Sequence, residues 1–324
     1  MEYRTVGKTG IQVSKLCFGT MSFGGNADKE TSLAMFNRCR EVGINFFDTA
    51  NIYNRGLSEE ILGECIQSCR NELVLTSKVY GPTGRDINAR GLSRRHIMQA
   101  VEDSLRRLRT DRIEFYFLHY FDSNTDIEDT LRAMDDLQRS GKILYPAVSN
   151  WAAWQIAKAL GISSKEGLAR FELIQPMYNL VKRQAEVEIL PLAGSEKLGV
   201  ISYSPLGGGL LTGKYSAKDK PTQGRLVDLK NYELRYRDQI YHETAARFSA
   251  YATERGYHPA TLAVAWVMSH PHLTAPIIGA RNLEQLEPSL AALDVEMTAE
   301  WRKEITSLSV SPPSATDRSE ELAE

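Results

Sequence analysis

The sequence predicts an α/β protein: a (β/α)8 TIM barrel with an N-terminal β-hairpin and an extended loop after the seventh strand. Three observations predict it. Eight short apolar runs alternate with longer stretches of helical period, the pattern of parallel strands joined by crossover helices. The chain has 324 residues, enough for eight such units, which need about 250. The segment after Phe18, GTMSFGG, does not match the G-x-G-x-x-G phosphate turn that usually marks the rival architecture, an open doubly wound sheet.

In chain order the expected strands are 16–18, 45–48, 73–77, 115–119, 144–149, 173–176, 199–204 and 275–278, each rich in Val, Ile, Leu or Phe. Helical periodicity falls between them at 29–41, 59–69, 93–107, 127–140, 152–161, 186–197, 243–255 with 259–269, and 283–293. Ser93 is placed to cap the third helix, and Gly141 to stop the fourth. Parallel strands need both faces covered, and a closed sheet has no edge to protect, so eight such units favour closure. Residues 3–13 read as a hairpin around Gly7 and Gly10. Residues 1–311 are therefore expected to form one domain, and the polar tail 312–324, PPSATDRSEELAE, to be disordered. The polar stretch 207–239 reads as a lid or cofactor clasp, against the plainer reading of an inert surface loop.

With 42% hydrophobic and 25% charged residues the composition is that of an ordinary globular protein. A formal charge of -2 offers no general attraction to nucleic acid or anionic lipid, so neither is expected as a partner. The N-terminus MEYRTVGKTG lacks the apolar core of a signal peptide, and no apolar run is long enough to span a bilayer, which places the protein in the cytoplasm. Composition leaves the number of subunits open. Cys17, Cys39, Cys65 and Cys69 lack zinc-site spacing and are expected as free buried thiols, so no metal site is predicted.

The chemistry shows in position. Asp48, Lys78 and His119 stand at or just beyond the ends of consecutive strands, where a barrel converges, and Tyr53 follows in the next loop. Singly, each has a bland alternative as a turn cap, a rim charge or a satisfied imidazole. Together they form an acid of tuned strength: an ammonium lowers the cost of phenolate, and a carboxylate keeps that ammonium charged. Tyr53 would protonate a carbonyl oxygen as hydride arrives, and His119 would donate a hydrogen bond to the same oxygen. Aromatic residues crowd the same loops, including Phe23, Tyr80, Tyr120, Phe121, Trp151, Tyr232 and Tyr236, and suggest a flat or sugar-like substrate. Phe23, Tyr80 and Trp151 are the expected substrate contacts. Arg85 and Arg90 read as solvated rim charges.

FFDTANIYNRGLSEEILG with Asp48 and Tyr53, LTSKVY with Lys78, and FYFLHY with His119 resemble the catalytic tetrad of the aldo-keto reductase superfamily in order and spacing. The resemblance runs from LCFGTMSFG to PIIGARNLEQL and extends to the potassium-channel β-subunit branch. It implies Tyr53 as proton donor, Asp48 and Lys78 as its tuning pair, His119 as substrate orienter, and NADPH as cofactor. It further implies cofactor contacts from Gly19, Thr20 and Met21, and a grip on the nicotinamide carboxamide by Ser149, Asn150 and Gln175. Tyr203 corresponds to the aromatic that stacks on the nicotinamide. Ser204, Pro205, Leu206, Gly209 and Lys214 correspond to contacts along the pyrophosphate. Gly279, Ala280, Arg281 and Gln285 resemble the pocket for the adenosine ribose and its 2'-phosphate, where Arg281 favours NADPH. Relatives commonly read Q-L-E-E-N here. This chain places Ser289 at the adenine position, a departure that leaves NADH use open. The implied activity is reduction of aldehydes or ketones. The alternatives are a lyase forming a Schiff base at Lys78 and a cofactor-sensing subunit of the channel-β type.

Overall fold

A computed structural model describes residues 1–215 and 221–318. Two short strands, β1 (Tyr3–Thr5) and β2 (Gln12–Ser14), pair antiparallel as the expected hairpin. Eight parallel strands then close into a barrel: β3 (Cys17–Gly19), β4 (Phe46–Asp48), β5 (Val74–Val79), β6 (Ile113–Leu118), β7 (Ile143–Ser149), β8 (Leu173–Gln175), β9 (Gly199–Ser202) and β10 (Ala275–Ile278), with β10 returning to β3.

The crossovers are α1 (Lys29–Glu41), α2 (Leu57–Cys65), α3 (Arg94–Leu108), α4 (Ile127–Arg139), α5 (Ala153–Glu166) and α6 (Ile189–Glu196). After β9 come α7 (Arg225–Asp228), α8 (Lys230–Arg235), α9 (Gln239–Glu254) and α10 (Pro259–Met268). After β10 come α11 (Leu283–Leu290) and α12 (Ala299–Thr306). Ser93 caps α3 by accepting from the His96 amide, and Gly141 follows α4 with φ +73°. The fifth helix, expected over 152–161, runs on through Gly161 to Glu166, and Gly167 ends it with φ +64°.

The stretch 207–239 is not simply irregular: α7 and α8 fold inside it, with Tyr232 turned inward. Its residues 216–220 lie outside the described residues, as do 319–324 of the expected disordered tail. Cys65 and Cys69, expected as buried thiols, are half-buried, because α2 ends at Cys65 and leaves the following turn at the surface.

Two apolar layers hold the barrel. Inside it, Cys17, Phe46, Phe115, Phe117, Leu173, Ile201 and Ala275 fill the lumen, and Val6 and Val13 of the hairpin join them from below. Outside, side chains such as Phe47, Leu75, Leu118 and Val148 pack against the helices. This alternation along each strand aims Lys78 inward while its neighbour Ser77 faces α2. Ser77 Oγ donates to Glu59 Oε1 at 2.5 Å, and Arg107 Nε of α3 donates to Glu59 Oε2 at 2.7 Å. Glu59 is fully buried, so it ties β5, the strand that carries Lys78, to two helices.

Glu59→Ala leaves Arg107 without its buried partner and should lower stability by on the order of 3 kcal/mol. Chemical denaturation should show the loss, and Glu59→Gln should recover part of it.

Candidate active site

At the carboxyl ends of the strands the barrel opens into a cleft of about 900 Å³. Its deepest charge is the Lys78 ammonium, fully buried behind the wall. Lys78 Nζ donates to Asp48 Oδ1 and Oδ2 at 2.7 and 2.6 Å and to the Thr49 carbonyl at 2.7 Å, and lies 3.5 Å from the Tyr53 hydroxyl. Asp48 Oδ1 also accepts from Thr76 Oγ1 at 2.6 Å and Gln175 Nε2 at 2.9 Å. The carboxylate therefore joins β4, β5 and β8 at their ends. Tyr53 sits in a 3-10 turn after β4, directly before Asn54 and Arg55, which adopt left-handed backbone with φ +47° and +58°. Its ring lies 6.2 Å from that of His119, nearly edge-on.

Burial, reinforced by the Asp48 charge, raises the Tyr53 hydroxyl well above an ordinary phenol. This reverses the net lowering expected from Lys78. The ammonium is paired with Asp48, whose opposite charge counters it at the phenol. Tyr53 is consequently a protonated donor at neutral pH. Burial and the positive charge of Lys78 push the His119 imidazole down to about 3, so it is neutral at neutral pH.

The wall beside this centre is tied together by polar contacts. Asn150, with φ +58°, donates through Nδ2 to the His119 carbonyl at 3.0 Å and to Ser149 Oγ at 2.9 Å. Its Oδ1 accepts from the Tyr203 hydroxyl at 2.7 Å. Ser149 Oγ in turn donates to the Gln175 carbonyl at 2.9 Å. Asn150, and Ser204 with φ +59°, adopt left-handed backbone, which asparagine tolerates better than serine.

Farther along, Pro205, Leu206, Gly209 and Lys214 line the cleft opposite Gly279, Ala280, Arg281 and Gln285, while Gly19 and Met21 border it near the catalytic end. Gly209 has φ +95°, and a Cβ there would come within 2.8 Å of Lys214 Cε, so only glycine lets the lysine lie across it. Lys214 reaches the surface, but partial desolvation with the charges of Arg281 and Arg225 holds its ammonium below the usual lysine range. Three cations here face two carboxylates, Glu284 and Asp228, the latter meeting Arg281 at 3.4 Å. Such an excess of positive charge beside closely approaching backbone suits the phosphates of a dinucleotide.

Several expected contacts lie elsewhere. Thr20 is buried behind the wall, bonded to the Asp48 carbonyl at 3.2 Å and Ser58 Oγ at 2.8 Å. Ser289 is buried within α11, and Pro288 occupies the cleft margin. None of the three expected substrate residues lines the cleft. Phe23 is fully buried 5.8 Å from Phe18, Trp151 packs between Phe121 and Phe171, and Tyr80 braces Tyr120 at 5.4 Å. These rings hold loops onto the barrel, because large apolar faces bury first when a loop folds back. Tyr236 likewise is core, bonded to Asn179. The residues that do line the cleft include Ile52, Asn54, Tyr120, Tyr232 and Arg235. Tyr120 had a signal in its place beside His119, but Arg235 and Arg225 had none, since a surface arginine and a cleft arginine read alike in sequence.

The Aldo/keto reductase family profile matches residues 15–310. The chain belongs to that family. It is similar to the uncharacterized oxidoreductase YrpG of Bacillus subtilis, 39% identical over 93% of each chain. It is also similar to a probable voltage-gated potassium channel subunit beta of Oryza sativa, 34% identical over 98% and 99% of the two chains. A norsolorinic acid reductase of Emericella nidulans is 33% identical over 91% of this chain and 78% of its own. The protein is thus an NAD(P)H-dependent oxidoreductase of carbonyl-type substrates. Among the described residues no helix is long and apolar enough to cross a membrane.

With its affinity for protons suppressed, His119 should stay neutral in an NMR titration down to about pH 4. Its folded value lies below the unfolded one near 6.5, so the unfolded chain binds more protons between about pH 3 and 6.5. Stability carried by this group should therefore fall as pH drops through that window, and His119→Gln should flatten that part of the pH dependence.

Proposed function

We propose that the protein is an NADPH-dependent reductase of aldehydes or ketones in which Tyr53 is the general acid. The observation that carries this reading is the buried Lys78–Asp48 pair set directly behind the Tyr53 hydroxyl. When bound, the nicotinamide supplies the hydride. Tyr53 gives its proton to the carbonyl oxygen, and the ammonium 3.5 Å behind it steadies the oxygen left negative. Neutral His119 directs the carbonyl by hydrogen bonding without competing as an acid. Ser149, Asn150 and Gln175 would hold the carboxamide, and the half-buried face of Tyr203 would support the ring. Lys214, Arg225 and Arg281 would take the phosphates, with Arg281 favouring the 2'-phosphate of NADPH.

All three hydrogens of Lys78 have acceptors and the residue does not line the cleft, so no free amine is offered for Schiff-base chemistry. Residues 1–311 would act as one domain, and the free thiols suit a reducing cytoplasm. The 34 and 35% identities to probable potassium channel β subunits of Oryza sativa and Arabidopsis thaliana favour a second reading, nucleotide sensing with slow turnover.

A panel of aldehydes, ketones and sugars assayed separately with NADPH and NADH decides between them. The reductase reading expects steady consumption of NADPH, with Tyr53→Phe lowering kcat by about 10²- to 10⁴-fold. Tight nucleotide binding with at most one turnover across the panel would favour the sensor. Arg281→Met should raise KM for NADPH at least tenfold while changing KM for NADH little.

A further inference from the structure

Among the described residues the Tyr53 hydroxyl makes a single hydrogen-bond contact, the 3.5 Å approach to Lys78 Nζ. A contact that long does not hold a ring in place, so its position falls to the backbone turn that carries it. The Tyr53 amide donates to the Ala50 carbonyl at 3.1 Å and the Arg55 amide to the Ile52 carbonyl at 3.2 Å, bonds that stay inside the turn. Asn54, Arg55 and Gly56 follow with left-handed φ of +47°, +58° and +94°. Such a run persists only where the surroundings restrain it.

The restraint comes from the side chain of Asn54. Its Nδ2 donates to the Met21 carbonyl at 3.0 Å and to the Phe23 carbonyl at 2.6 Å. Apart from the Lys78 contact, these are the only hydrogen bonds among the described residues that run from residues 52–55 to a distant part of the chain. Both amide hydrogens are engaged, so the side chain cannot turn without losing both bonds. The anchor is firm, because Phe23 is fully buried with its ring 5.8 Å from that of Phe18 in β3. Gly25 permits the close approach: a Cβ there would stand 2.6 Å from Asn54 Oδ1. The turn after β4 is thereby clamped to the loop after β3, one residue beyond Tyr53.

We propose that Asn54 is a positioning residue for Tyr53: by clamping the left-handed turn to the β3 loop it holds the phenol in reach of both Lys78 and the substrate oxygen. The inference rests on the reading of Tyr53 as general acid. Asn54 acts through Tyr53 and transfers no proton of its own.

The test is the single-turnover rate of NADPH oxidation by the best aldehyde of the panel at saturation, expressed per nucleotide-binding site so that unfolded chains do not count. Asn54→Gly keeps the left-handed backbone without strain and removes the clamp. It should lower that rate by about 10- to 100-fold and leave Kd for NADPH within about twofold of wild type. Asn54→Asp, which sets carboxylate oxygens against the two carbonyls, should lose at least as much. In a Tyr53→Phe background, where no phenol remains to be placed, Asn54→Gly should cost less than about twofold. An equal loss in both backgrounds, a loss that falls on nucleotide binding instead of the turnover rate, or an unchanged rate with only a lowered Tm overturns the assignment while leaving the reductase reading standing. A Tyr53→Phe variant as fast as wild type, or failure to reduce any member of the panel, overturns both.

Discussion

The buried ion pair between Lys78 and Asp48 is the constraint on which the rest of the site depends. Taking two charges out of water is expensive, and the cost is offset only where geometry is good and the remaining donors and acceptors are satisfied. Here they are: the ammonium has the two carboxylate oxygens and the Thr49 carbonyl, and the carboxylate has Thr76 and Gln175 as well. Because those partners come from β4, β5 and β8, the pair holds three strand ends in one arrangement. The barrel is what makes this affordable, since closure leaves every strand paired and rigid on both sides.

The pair also decides what Tyr53 can do. A lone buried lysine would pull a nearby phenol toward ionisation, but Asp48 absorbs most of that field, and burial leaves the hydroxyl protonated. In the proposed reduction the ammonium would act after the proton has gone, when a negative oxygen appears 3.5 Å away. The same cation, together with burial, keeps His119 neutral. Burial thus sets the protonation state of both side chains, reinforced by Asp48 at Tyr53 and by Lys78 at His119.

Positive charge is gathered along the cleft. Lys214, Arg225 and Arg281 act on one another along the cleft where Gly209 lies against the Lys214 side chain, with Asp228 and Glu284 as the carboxylates beside them. The lining also includes Tyr120, Tyr203 and Tyr232, and Arg235 joins Lys214, Arg225 and Arg281 as a further described cation facing the cleft. The segment that delivers both Arg225 and Arg235 is the one that breaks the strand–helix repeat, so the fold's least regular part shapes what the cleft admits.

The barrel could be read from the sequence because its cause is local: runs of β-branched and aromatic residues alternate with helical periodicity, and strand after strand ended within two or three residues of expectation. The gathering of Asp48, Tyr53, Lys78 and His119 could be read for a related reason, since strand ends converge in any such barrel and ionisable residues stood at three of them in succession. The lining of the cleft was different. Phe23, Tyr80 and Trp151 have the chemistry of substrate contacts but went to loop packing, and Arg235 has the chemistry of a solvated surface residue but faces the cleft. Sequence determined the scaffold and the kinds of group it carries at its strand ends. Which way each loop side chain turns was decided only by tertiary packing, because an aromatic ring or a guanidinium is accommodated on either side of a loop and long-range contacts choose between them.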